Sequence, residues 1–65
     1  MEQYSIVMLG QMLKERGLEI EEAINTSLRV RKEDKRERLM KWMEQNPKAT
    51  VEEILEKSRE LHREK

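Results

Sequence analysis

The sequence predicts an all-α protein, a small bundle of three to four short helices ending in an antiparallel helical hairpin. Three observations carry this. Apolar residues recur at helical spacing in separate blocks along the 65-residue chain. The stretch Leu39–Leu55 holds a helix end, the only Pro and a capping box. Gly17 after Glu15-Arg16, with Leu18 following, reads as a helix stop between two such blocks.

The hairpin corner is the clearest element. Asn46 precedes Pro47, so its backbone is pushed out of the helical region. Pro47 lacks an N–H and its ring clashes with the preceding turn, so it cannot continue a helix. Thr50 is followed three residues on by Glu53, the pair that forms a capping box, and loss of the Thr50 hydroxyl should cost about 1 kcal/mol. Before the break, Leu39, Met40, Trp42 and Met43 share one side of a helix over 33–46. After it, Val51, Ile54, Leu55, Ser58 and Leu61 form a stripe on a helix over 50–63. Two helices joined by so short a connection must pack antiparallel.

The N-terminal part, 1–28, reads as two further helices. Over 3–16, Ile6, Leu9, Met12 and Leu13 share a face, with Met8 at its edge and Tyr4 and Val7 off it. Gly17 ends this helix, with Leu18 folding back onto Leu13. Gly10 lowers helix propensity by about 1 kcal/mol relative to Ala, and a close helix approach would account for it. Over 19–28, Ile20, Ala23, Ile24, Ser27 and Leu28 form a stripe, and Glu19, Glu21 and Glu22 suit the positive end of the helix dipole. Asn25, Thr26 and Ser27 are weak helix formers, so fraying is expected there. In 29–38 nine of ten residues are charged and the apolar stripe lapses, which predicts a break between 26 and 32. The whole is read as one small domain, 1–65, with 1–28 packed on the hairpin 33–63.

Composition narrows the function. Charged residues make up 43% of the chain, apolar ones 35%, and there is neither Cys nor Phe. A chain this short buries only about 60% of its unfolded surface. With no disulfide or thiolate metal site to reinforce it, association with itself or a partner is the remaining source of burial. Net charge is zero, but residues 1–25 carry −3, 26–48 carry +4 and 49–65 carry −1. The N-terminus opens on an acidic residue, and the apolar run at 4–9 is too short to span a membrane, so a cytoplasmic protein is expected.

No catalytic set is legible. His62 is the only His, and Ser58 one turn earlier has no orienting acid. A helical carboxylate metal site would place Glu three residues before His62, where Arg59 stands. There is no glycine-rich phosphate loop. The sequence therefore predicts a protein that is not an enzyme and needs no cofactor, metal or small-molecule substrate. The expected function is that of a regulator or adaptor acting through helix-mediated contact with a protein partner or itself, as a homodimer. Methionine suits irregular interfaces and Trp anchors them, so Tyr4, Val7, Met8, Met40, Trp42 and Met43 are the candidate partner-facing residues.

Two resemblances offer alternatives. If Leu28-Arg29-Val30-Arg31-Lys32 is a strand, the layout strand–helix–helix resembles ribbon-helix-helix DNA-binding dimers, whose paired strands enter the major groove. That resemblance implies a dimeric DNA-binding regulator, with Arg29, Arg31, Lys32, Lys35 and Arg36 as the candidate nucleic-acid contacts. At the C-terminus, Ser58-Arg59-Glu60-Leu61-His62 resembles the Ser-Gln-Glu-Leu-Asp signature of small sporulation aspartyl-phosphate phosphatases. His62 replaces the acidic residue and Arg59 the Gln, so this resemblance implies response-regulator binding without phosphatase activity.

Overall fold

A computed structural model describes residues 4–64. Four helices follow one another: α1 (Ile6–Glu15), α2 (Ile20–Arg29), α3 (Glu33–Gln45) and α4 (Val51–Arg63). They close into a ring in the spatial order α1–α2–α4–α3, each packed on two neighbours. The fold is the small all-α bundle that the sequence predicts.

Local chemistry sets the boundaries. Ser5 opens α1, because its hydroxyl accepts the Met8 N–H at 3.1 Å and satisfies a free donor of the first turn; residue 3, where the expected helix begins, lies outside the described residues. Gly17 ends α1 with φ +103°, a left-handed conformation that glycine adopts without strain. The Leu18 N–H then reaches back to the Leu13 carbonyl at 3.1 Å and the Gly17 N–H to that of Lys14 at 3.0 Å, the paired bonds of a Schellman motif. At the hairpin corner the Glu53 N–H donates to Thr50 Oγ1, and Glu53 Oε1 accepts the Thr50 N–H at 2.8 Å.

Three expectations are corrected. The Asn25–Thr26–Ser27 segment does not fray. Thr26 and Ser27 are buried inside α2, and the Ser27 hydroxyl donates to the Ala23 carbonyl at 2.8 Å. Residues 28–32 are not a strand, and no strand occurs among the described residues. Leu28 and Arg29 complete α2, and Val30 turns out of the helix into the core with no exposed surface, so the apolar–basic alternation marks a helix end and a connection. The strand–helix–helix layout goes with it. Gly10 brings no helices together, since a Cβ there would meet nothing within 4 Å.

The core joins all four helices through Leu9 and Leu13, Ala23, Leu39, Met40 and Met43, and Ile54 and Leu61, with Leu18 and Val30 contributed by the connections. Basic side chains close the helix ends, where the last carbonyls have no partner within their own helix. Arg16 donates to the carbonyls of Met43 and Asn46 at the end of α3. Lys35 donates to those of His62 and Glu64 at the end of α4.

Candidate interaction surface

Helix α2 is packed the unexpected way round. Its stripe Ile20, Ala23, Ile24, Ser27 and Leu28 was expected to face the core. Only the small members do: Ala23 and Ser27 are buried, together with Thr26, while Ile20, Ile24 and Leu28 remain 64%, 55% and 59% exposed. The arc of apolar residues is wider than the contact that α2 makes, and the helix is rotated to put its small residues inside. A small inward face lets the backbone of α2 approach α1 and α4 closely. The three large aliphatic side chains are left in a row, one turn apart.

Helix α1 supplies the other wall. Val7, 71% exposed, and Ile6, 47% exposed, stand opposite α2. Between them lies a shallow apolar groove of about 280 Å³, floored in part by Gly10 and edged by Gln11 and Lys14. Most monomeric surfaces carry single exposed apolar residues, whereas contiguous apolar patches mark contact sites. The sequence shows Ile20, Ile24 and Leu28 as part of the α2 stripe and gives no sign that they, rather than Ala23 and Ser27, face the solvent. The available signal was arithmetic: both N-terminal helices carry more large apolar residues than a bundle of this size can enclose.

The residues expected to face a partner are dispersed. Val7 lies in the groove. Met8 is 44% exposed but does not line it. Tyr4 and Trp42 pack against the core while partly exposed, and Trp42 borders a separate concavity with Pro47 and Glu53. Met40 and Met43 are 1% and 0% exposed, so both are core residues of this fold and present no surface to a partner. A single Met- and Trp-lined face therefore does not form. Its residues are distributed over several sides of the ring, because α3 turns Met40 and Met43 inward with Leu39.

The basic segment divides as well. Arg36 is 3% exposed, with its guanidinium donating to the carbonyls of Tyr4 and Arg31. Lys35 is engaged at the end of α4, and Arg38 forms a forked pair with the Glu64 carboxylate at 2.7 and 3.2 Å. The Arg38 hydrogen bond holds the Glu64 carboxyl below its ordinary range, and the same contact raises the Arg38 guanidinium. Of the five candidate nucleic-acid contacts, Arg31 and Lys32 remain fully at the surface, with Arg29 half-buried beside His62. Among the described residues no cluster of His, Cys, Asp or Glu could hold a metal ion, and no helix is long and apolar enough to cross a membrane.

No family model, no curated protein and no solved structure matches this chain. The geometry of the surface is accordingly what a functional reading stands on.

Proposed function

We propose that this chain is a small non-enzymatic regulatory or adaptor protein that works by helix-mediated protein–protein contact, with the α1–α2 groove as its docking face. One observation carries the reading: α2 buries Ala23, Thr26 and Ser27 and leaves Ile20, Ile24 and Leu28 in the solvent. A groove between two helices, walled by aliphatic side chains on both sides, fits the apolar stripe of a third helix. Covering the exposed parts of Ile6, Val7, Ile20, Ile24 and Leu28 would contribute roughly 6 kcal/mol at the usual value for aliphatic burial. Association costs about 4–15 kcal/mol in lost freedom. The apolar gain matches only the lower part of that cost, so polar contacts at the rim must add to it and docking there would be weak and reversible.

The test is a methyl NMR titration with a synthetic amphipathic helix bearing a leucine stripe. Saturable shifts at the Ile20, Ile24 and Leu28 methyls, with Ile54 and Leu61 unmoved and the shifts lost in Ile24→Glu, are the expected result. Absence of shifts at the groove methyls overturns the reading.

A further inference from the structure

We infer that the helix received by this groove is α2 of a second copy of the chain, docked antiparallel about a two-fold axis passing near Ile24. The inference rests on the reading of the groove as a docking face and names its occupant. Three features of the surface lead to it.

A two-fold interface must be self-complementary, because the same patch serves both copies. The exposed row of α2 satisfies this. Ile24 is its midpoint, with Ile20 four residues before and Leu28 four residues after. An antiparallel pairing centred there sets Ile20 of one copy beside Leu28 of the other, and Ile24 beside its own equivalent.

Charges of opposite sign stand towards the two ends of that row, the acidic ones at the start of α2 and the basic ones in the α2–α3 connection. Glu19 and Glu21 lie before the midpoint, Arg31 and Lys32 after it, and all four are exposed. Lys14 of α1 also lines the groove. Antiparallel docking brings the acidic end of each copy to the basic end of the other, twice per dimer. None of these four charges has an ion-pair partner among the described residues. Some charges of α3 and α4 do pair, as Glu37–Lys41, Lys57–Glu60 and Glu56–Arg59.

Gly10 supplies the third feature. It stands mid-helix in α1 with open space over it, where no contact within the chain uses the missing side chain. A second helix lying in the groove would use it as a point of close approach.

Sedimentation equilibrium over a concentration series tests the dimer, with two charge-reversed variants, E19K/E21K and R31E/K32E. Each variant makes the charges flanking its own Ile20–Ile24–Leu28 row alike in sign, so each should self-associate at least about tenfold more weakly than the natural chain. An equimolar mixture of the two should recover association as a heterodimer. Isotope-filtered NOEs between Ile20 and Leu28 methyls in mixed-label natural protein provide the same answer without substitution. A natural chain that stays monomeric to on the order of 1 mM, or a dimer whose strength neither reversal changes, overturns the inference. In that event, saturable groove shifts with the leucine-striped peptide leave the docking reading standing, and their absence removes it too.

Discussion

The Arg36 Nε–H donates to the backbone carbonyl of Tyr4, 32 residues earlier in the chain, while its Nη1 donates to the carbonyl of Arg31 at 2.7 Å. One buried guanidinium thus ties the segment before α1 to the α2–α3 connection. Arg36→Met keeps the apolar bulk but leaves those carbonyls without their donor. It should lower stability by about 3 kcal/mol, since breaking a buried charged network exposes the full cost of unpaired groups. Urea unfolding followed by circular dichroism measures it. Arg36→Lys should recover only part of the loss, because an ammonium cannot reproduce the two-armed geometry.

Thr26 Oγ1 is buried and has no hydrogen-bond partner among the described residues. Thr26→Val replaces that hydroxyl by a methyl of nearly the same shape and removes an unsatisfied polar atom. Stability should rise by about 1 kcal/mol. A drop in the urea midpoint for Thr26→Val would show that the hydroxyl has a role in the native protein.

The two glycines should respond in opposite directions. At Gly17 there is room for a side chain, the nearest atom being Val51 Cγ2 at 3.6 Å, but φ is +103°. Gly17→Ala should therefore destabilise by about 1 kcal/mol or more through backbone strain alone. Gly10 is helical and open, so Gly10→Ala should stabilise the isolated chain by about 1 kcal/mol through helix propensity. Thermal unfolding of both variants in dilute solution tests the pair.

Acid should loosen the contact between α3 and the end of α4. The Glu64 carboxyl is held below its ordinary value, chiefly by the Arg38 hydrogen bond. A depressed folded-state value means that the contribution is complete above the unfolded-state titration and is lost as the pH falls through the folded one. The side-chain carboxyl resonance of Glu64 should titrate below an ordinary glutamate and shift upward in Arg38→Gln, with Lys35 and Lys57 still lowering it. An unchanged titration in that variant would show that the pair does not persist in solution. Both groups are exposed, so the effect on overall stability is small.

The helix boundaries were legible in the sequence because neighbouring residues set them. Gly17 with Leu18, and Asn46–Pro47 with Thr50 and Glu53, place their breaks through hydrogen bonds spanning at most five residues. Legibility failed where a residue's role depends on a distant partner. Lys35, Arg36 and Arg38 read as one solvated basic run with Arg29, Arg31 and Lys32. The carbonyls and carboxylate that hold Lys35 and Arg38 lie 26 to 29 residues away. Likewise, of the candidate partner-facing residues only Val7 lines the groove, and its α2 wall of Ile20, Ile24 and Leu28 reads in the sequence as part of an ordinary helical stripe.

By itself, the sequence determined an all-α bundle of three to four helices and the breaks at Gly17 and at Asn46–Pro47, since periodicity and capping act within a turn or two of the chain. Tertiary packing alone decided how each helix is rotated about its axis. An apolar arc on α2 permits several rotations of similar local merit, and the close ring of four helices selects the one with Ala23, Thr26 and Ser27 inside. The rotation of α3 withdraws Met40 and Met43 from the candidate surface, and that of α2 exposes Ile20, Ile24 and Leu28: on α3 the core takes the large side chains, on α2 the small ones. The proposed docking face exists because of that choice.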